Sequence, residues 1–110
     1  MRRMGLEVVA DQNAGRRSYR DASRRKAAGM VAGEPDLRIY RPGGIVWFIE
    51  MKGPKGRLTD SQRERFPVLM DMGFNLAVVS EATLEAAADE AERIVREWIK
   101  EESDAASSLK

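Results

Sequence analysis

Near its middle the sequence reads Val46-Trp47-Phe48-Ile49-Glu50-Met51-Lys52, an apolar run that ends in two opposite charges. Because side chains alternate between the two faces of an extended strand, Glu50 and Lys52 project to the same side, about 7 Å apart along the chain. Met51 points to the other side, which leaves its carbonyl oxygen near the same edge. Asp36 lies at the start of the preceding predicted strand. Two carboxylates and a lysine at strand ends suit a hard cation such as Mg²⁺ and a phosphate bound to it.

The residues around this run predict an α/β domain, with a mixed sheet of about four strands and helices packed on its faces. Arg41-Pro42-Gly43-Gly44 is a hairpin loop signal, and Thr59-x-x-Gln62 is a capping box that opens a helix. Pro67 lies inside that helix, where we expect a kink or a break. The predicted elements, in chain order, are a strand over 6–10, a helix over 18–28, strands over 36–40 and 45–51, a helix over 59–72, a strand over 75–79 and a helix over 83–101.

The length and composition indicate one globular domain. The chain has 110 residues, of which 43% are hydrophobic and 34% are charged, and this length suits a single core. We expect the domain to span residues 1–102, followed by a flexible C-terminal tail over 103–110. No apolar stretch approaches 18 residues, and Arg2-Arg3 precede no apolar segment, so we expect neither a membrane span nor a secretory signal. The expected location is the cytoplasm of a bacterium or of a phage-infected host cell.

Cysteine and histidine are both absent from the sequence, and this absence excludes many catalytic chemistries. Without cysteine the chain has no disulfides, thiolate nucleophiles or cysteine zinc sites. Without histidine it has no serine–histidine triad, histidine general base or histidine-ligated metal. Any chemistry must therefore use carboxylates, lysine, arginine, hydroxyls, amides and a bound cation.

The formal net charge of +1 conceals a polarised distribution along the chain. Between Glu81 and Lys110, nine acids stand against four basic residues. Near the N-terminus, a predicted helix region instead combines one acid, Asp21, with six basic residues: Arg16, Arg17, Arg20, Arg24, Arg25 and Lys26. Such a face is either an ordinary solvated helix surface or, as we favour, a site for salt-sensitive, sequence-independent contacts with a phosphate backbone. Lys55 and Arg57 extend the same cationic track.

The charged residues at the strand ends also have a purely structural interpretation. Lys52 could form a surface ion pair with Asp36 or Glu50, which would contribute at most about 1 kcal/mol. Gln62 could either close the capping box with Thr59 or reach, through its amide, a metal-bound water or a phosphate at the end of the strand, and the two roles are compatible.

The remaining motifs call for no cofactor. The loop Gly53-Pro54-Lys55-Gly56 lacks the spacing of a P-loop, so no nucleotide cofactor is expected. Trp47 and Phe48 alternate across a central strand and are expected in the core. Trp98 is expected either in the core or at a dimer contact.

Taken together, the motifs resemble the VRR-NUC domains, small stand-alone domains of phages and bacteria within the PD-(D/E)XK nuclease superfamily. The resemblance runs from about Asn13 to Ile99, which is most of the chain. The segments that carry it are Asn13 through Arg17, Arg24-Arg25-Lys26 with Gly29, GEPDL at 33–37, FIEMKGPKGRLTDSQ at 48–62 and the apolar strand at 75–79.

The resemblance implies a restriction-endonuclease-like α/β fold and a divalent metal, Mg²⁺ or Mn²⁺. Asp36 and Glu50 would hold the metal, with the Met51 carbonyl as a further ligand. Lys52 would position or deprotonate the attacking water, and Gln62 would be the helix glutamine of the family at the site. The resemblance also implies homodimers, whose two sites face a DNA duplex or junction.

One departure from the family pattern concerns an acid that precedes the first strand. Family members usually carry an additional helix there, with a glutamate that assists the metal site. Only a few residues precede Leu6 in this sequence, and Glu7, which falls within the predicted strand, is a poor substitute.

We interpret the chain as a metal-dependent endodeoxyribonuclease that hydrolyses phosphodiester bonds, with structure-specific cleavage at a junction, nick or flap as one form of that activity. A non-catalytic DNA-binding module is the alternative from another class, and it would bind DNA in a salt-sensitive way without cleavage. A nuclease subunit with an incomplete metal site, completed by a partner, is a third interpretation.

Overall fold

The computed structural model describes residues 5–10 and 33–108, and the structural statements below concern these residues. The predicted helix over 18–28 lies outside them. The elements are the strands β1 (Glu7–Ala10), β2 (Leu37–Arg41), β3 (Ile45–Lys52) and β4 (Asn75–Ser80), and the helices α1 (Asp60–Asp71) and α2 (Leu84–Ser108). Each predicted element within the described residues is therefore present, with bounds shifted by one or two residues except at the end of α2.

The four strands form one mixed sheet in the order β1-β2-β3-β4. The first three strands pair antiparallel, and β3 pairs parallel with β4. A tight turn can join antiparallel strands, whereas parallel strands need a longer crossover. Accordingly a hairpin turn connects β2 to β3, and α1 lies in the crossover from β3 to β4. The predicted α/β class and four-stranded mixed sheet are confirmed.

Alternation along β3 divides the core between the two faces of the sheet. Trp47 and Ile49 belong to a cluster that packs against α2, where Ala91 and Val95 are fully buried. Phe48 points to the other face and packs against Phe66, Leu69 and Leu76 of α1 and β4. The prediction that Trp47 and Phe48 are core residues is confirmed.

Helix α1 begins at the predicted capping box and continues through Pro67 to Asp71. The side chain of Thr59 accepts a hydrogen bond from the Gln62 backbone, and the Gln62 side chain accepts one from the Thr59 backbone. The helix does not break at Pro67, which is exposed. Gly73, with φ of +95°, follows the helix end, where glycine readily adopts this left-handed conformation.

Helix α2 extends to Ser108, well past the end near Glu101 that the sequence predicts. Residues 103–108 of the predicted tail are therefore helical, and the prediction that the helix ends at Glu101 is wrong. Arg41 at the end of β2 donates to Glu102 at 2.7 Å and stacks on Trp47, 5.1 Å from the ring centroid. This contact connects the far part of α2 to the sheet, and apolar periodicity does not reveal it.

Trp98 of α2 packs edge-on against Trp47, with 5.4 Å between the ring centroids. Of its two predicted roles, the structure supports packing on the core. Neither helix in the described part of the chain has the length and apolarity needed to cross a bilayer.

Gly33 fixes the segment before β2 against the first turn of α1. Its φ is +88°, and a Cβ at this position would lie 2.5 Å from the carbonyl oxygen of Ser61. Nearby, Arg65 of α1 donates to Glu34 at 2.8 Å. The chain that leads into Asp36 is thereby held close to the helix that carries Gln62.

We predict that Gly33→Ala destabilises the fold more than Gly43→Ala. Both glycines have a positive φ, but a Cβ at Gly43 would meet no atom within 4 Å. Backbone strain alone should cost about 1–2 kcal/mol at Gly43, and the added steric overlap at Gly33 should raise the loss to about 3 kcal/mol. Urea unfolding of the two variants and the wild type measures the difference. Equal losses would show that the Ser61 contact has no effect on stability.

Candidate active site

The ends of β2 and β3 bring Asp36 and Glu50 together. Leu37 pairs with Ile49 across the antiparallel ladder, so Asp36 lies beside Glu50 at the next position. The backbone N–H of Asp36 donates to Glu50 Oε1 at 3.0 Å. The two acids that the sequence assigns to separate strands are therefore neighbours, where β2 begins and β3 ends.

Glu50 is a buried carboxylate, with 2% of its surface exposed. Lys52 Nζ lies 3.0 Å from Glu50 Oε2, and the Lys52 side chain is 17% exposed. The two residues share the face of β3 that packs on α1, as strand alternation predicts. A charge buried this deeply is tolerated only when it is paired and hydrogen-bonded. Lys52 is thus the counter-ion of Glu50. The pair is largely buried, whereas the purely structural interpretation of the sequence predicted an ion pair at the surface.

Gln62 joins the helix cap to the buried carboxylate. Its Oε1 accepts from the backbone N–H of Thr59 at 3.0 Å, while its Nε2 donates to Glu50 Oε2 at 2.9 Å. The amide orientation follows from these partners, because only the oxygen can accept from an N–H and only the nitrogen can donate to a carboxylate. The predicted capping box is therefore present, and the Gln62 amide also contacts the carboxylate of Glu50. Its contact with a metal-bound water or a phosphate stays a prediction.

Met51 lies between the two charged residues on β3, and its side chain packs against the cluster on the α2 face. This is the opposite face from Glu50 and Lys52, as alternation predicts. The role of its carbonyl oxygen as a metal ligand stays a prediction.

The predicted DNA-binding residues are only partly covered by the structure. Lys55 and Arg57 are exposed just after β3, close in sequence to Lys52. The other predicted residues, Arg16, Arg17, Arg24, Arg25 and Lys26, lie outside the described residues.

The donor chemistry at this edge fits a hard divalent cation. Asp36 and Glu50 contribute two carboxyl groups to this end of the sheet, against one ammonium group, that of Lys52. An ionised carboxylate offers about four lone-pair positions. In the contacts named above, Glu50 Oε1 accepts from one donor and Oε2 from two. A lone pair of Oε1 therefore remains available for a cation. Oxygen is the donor that Mg²⁺ prefers.

A third acid does not join this pair within residues 5–10 and 33–108, where no three metal-binding side chains form a group. Glu7 pairs with Tyr40 in the β1–β2 ladder. It lies four residues along β2 from Asp36, which corresponds to about 13 Å. The structure agrees with the expectation that Glu7 is a poor substitute for the helix glutamate of the family.

A cavity of about 520 Å³ lies at the opposite end of the sheet, lined by Trp47, Phe74 and Trp98 among others. Its lining contains none of Asp36, Glu50, Lys52 and Gln62. A pocket that buries most of its ligand is the usual form of a small-molecule site. Glu50 and Lys52 instead lie at the C-terminal end of β3, beside an exposed turn. This position suits a polymeric substrate that binds across the surface.

Sequence reasoning missed two residues that support the cluster. Gly33 approaches the first turn of α1, and Ser80 Oγ donates to the Gly53 carbonyl at 2.8 Å. The GEPDL segment does not reveal the contact of Gly33, because that contact joins residues far apart in the sequence. No local signal in the sequence indicates the Ser80 contact, because it joins residues 27 positions apart.

Comparisons with known proteins found one matching family and one similar curated protein. The VRR-NUC domain pattern matches residues 6–82 of the chain. A Fanconi-associated nuclease 1 homolog of Oryza sativa subsp. japonica is 40% identical over 52 residues, which cover 43% of this chain and 5% of that protein. The chain thus matches only about one-twentieth of that relative's length.

No solved structure matches the chain. The family match covers more than half of the chain, and it includes Asp36, Glu50, Lys52 and Gln62. The chain therefore belongs to the VRR-NUC domain family of nucleases.

Proposed function

We propose that this nuclease domain is a divalent-metal-dependent endodeoxyribonuclease. The observation that carries the proposal is the buried carboxylate of Glu50, which contacts the Asp36 backbone, Lys52 and Gln62 within 3.0 Å. Burying this charge away from water costs free energy, and a hydrophobic side chain at the same position would not incur that cost.

Asp36 and Glu50 would hold Mg²⁺ or Mn²⁺, with the Met51 carbonyl as a further ligand. When bound, the metal would supply positive charge that polarises the scissile phosphate and acidifies a water molecule. Gln62 fixes the orientation of Glu50 by donating to Oε2 at 2.9 Å. The bond from the Asp36 backbone fixes the other oxygen at 3.0 Å. The carboxylate is therefore preorganised before a ligand arrives.

Lys52 would act on the phosphate and on the attacking water. Its ammonium group is held at 3.0 Å from Glu50, yet 17% of the side chain remains exposed. It can therefore offer hydrogen bonds to a phosphate oxygen, where negative charge develops during phosphodiester hydrolysis. As an ammonium group it would also position the attacking water; to accept the proton of that water it would first have to lose its own proton and act as the neutral amine.

DNA is the proposed substrate, held through its backbone by the cationic residues at 16–26 and by Lys55. Lysine and arginine contacts to phosphates carry no sequence information. We also propose a homodimer that places two sites on one duplex or junction, and cleavage at a defined DNA structure. The name of the Oryza relative, a Fanconi-associated nuclease homolog, supports a role in nucleic-acid cleavage.

A second candidate function is DNA binding without cleavage. The observation that favours it is the pair of acids at the strand edge, which no third acid joins within the described residues. A partner that supplies the missing acid would reconcile this observation with nuclease activity. Of the three predictions that follow, the two on cleavage separate these functions, and the third tests the DNA contacts that both functions require.

Lys52→Ala should lower the rate of DNA nicking by about 10²–10³-fold, because the group that offsets charge in the transition state is lost. Asp36→Ala should have a similar effect, while DNA binding by both variants stays close to that of the wild type. Lys100→Ala, an exposed change on α2, serves as the control. Supercoiled plasmid nicking and a gel-shift assay measure cleavage and binding.

Loss of Lys52 also leaves the buried charge of Glu50 without its counter-ion, which should destabilise the fold by about 3 kcal/mol. Cleavage should therefore be compared at a temperature at which both proteins are fully folded by circular dichroism. Wild-type nicking rates in Lys52→Ala or Asp36→Ala would contradict the proposed mechanism.

Cleavage should require a divalent ion and stop when the ion is removed. We expect Mg²⁺ or Mn²⁺ to activate cleavage of labelled duplex, nicked, flapped or four-way DNA, and EDTA to abolish it, since carboxylate oxygens bind hard cations. Binding that proceeds with every ion, without any cleavage, would support the non-catalytic module instead.

Replacing the basic residues with alanine should weaken DNA binding about equally for different sequences. Each lost phosphate contact should reduce the slope of log K against log salt by about one. Arg24→Ala and Arg25→Ala, measured at several salt concentrations, provide the test. An unchanged salt slope would assign Arg24 and Arg25 to an ordinary solvated surface.

A further inference from the structure

The turn that follows β3 folds back onto Lys52. The backbone N–H of Gly56 donates to the Gly53 carbonyl at 2.9 Å, which closes a four-residue β-turn. Ser80 at the end of β4 donates to the same carbonyl at 2.8 Å. Ser80 is also the ladder partner of Lys52. The turn is therefore anchored to the strand that neighbours the lysine.

Gly56 lies against the stem of the lysine side chain. A Cβ at Gly56 would lie 3.0 Å from Lys52 Cβ and 3.1 Å from the backbone nitrogen and oxygen of Gly53. These distances are tighter than an ordinary van der Waals contact, so an added Cβ would push the turn and the Lys52 stem apart by a few tenths of an ångström. Gly53, in the same turn, would meet nothing within 4 Å if it carried a Cβ.

The position of the ammonium group depends on this stem. Lysine is a point charge on a flexible four-carbon chain, so one hydrogen-bonded partner does not by itself fix its direction. The ion pair between Lys52 Nζ and Glu50 Oε2, at 3.0 Å, holds the amine end of the side chain. The turn packs against the other end, at Lys52 Cβ. Both ends of the side chain are constrained.

We propose that Gly56 is a positioning residue for Lys52. Its lack of a side chain lets the turn close over the Lys52 Cβ and directs the ammonium group toward Glu50. The proposal rests on the proposed function for its catalytic consequence, but the placement of Lys52 can be measured without any cleavage.

The test compares Gly56→Ala with Gly53→Ala, two one-carbon additions in the same turn. Competitive acetylation with acetic anhydride, followed by peptide mass spectrometry, reports how well Lys52 is protected relative to exposed Lys55 and Lys100. Gly56→Ala should raise Lys52 labelling several-fold, because the amine loses its fixed place beside Glu50. Gly53→Ala should leave the labelling unchanged. Equal Lys52 labelling in Gly56→Ala and the wild type would overturn the proposal.

Cleavage gives a second measurement on the same proteins. A displacement of the reacting group by about 1 Å can cost on the order of a hundredfold in rate. We therefore expect Gly56→Ala to lower kcat by about tenfold or more with little change in KM, while Gly53→Ala behaves like the wild type. A Gly56→Ala variant with increased Lys52 labelling and wild-type kcat would overturn the catalytic part of the proposal.

The design separates this proposal from the proposed function. If the wild type cleaves no DNA with any divalent ion, the proposed function fails, and the labelling comparison still decides whether Gly56 positions Lys52. If Gly56→Ala does not fold, Ser80→Ala takes its place, because it frees the Gly53 carbonyl from β4 and so loosens the turn that Gly56 closes over Lys52. Raised Lys52 labelling in Ser80→Ala supports the proposal, and unchanged labelling overturns it.

Discussion

The burial of the Glu50 carboxylate is the constraint on which the arrangement of the site depends. At 2% exposure, this charge must be matched by partners, because an unpaired buried carboxylate is among the costliest groups in a fold. The partners come from three separate parts of the chain: the Asp36 backbone, Lys52 on the same strand and Gln62 on α1. The hairpin, the following helix and the carboxylate are therefore energetically coupled.

The supporting contacts hold these three parts in register without joining the cluster themselves. Gly33 lets the segment before β2 approach α1 to a distance that a Cβ would prevent. Thr59 caps α1 and orients the Gln62 amide at the same time. Gly56 leaves room for the turn over Lys52. Two glycines and one helix cap thus fix the relative positions of the site residues, while the two hydrophobic clusters contribute most of the stability of the fold.

Strand alternation and capping signals were sufficient to predict much of the fold and part of the site. They placed Glu50 and Lys52 on one face of β3 and the start of α1 at Thr59, because each property depends on residues only two or three positions apart. The end of α2 was predicted too early. Its extension is associated with Arg41, which contacts Glu102 from 61 residues away, and a local pattern cannot show such a contact.

The sequence by itself determined the chemical inventory: carboxylates and lysine but no histidine or cysteine, with two charges at the end of an apolar strand. Only the tertiary structure decided that Glu50 is buried, that Gln62 donates to it and that Lys52 is its counter-ion. The physical reason is that side-chain type and face are local properties of the chain. Burial and hydrogen-bond partners instead arise when α1 packs on the sheet and excludes water from the strand ends.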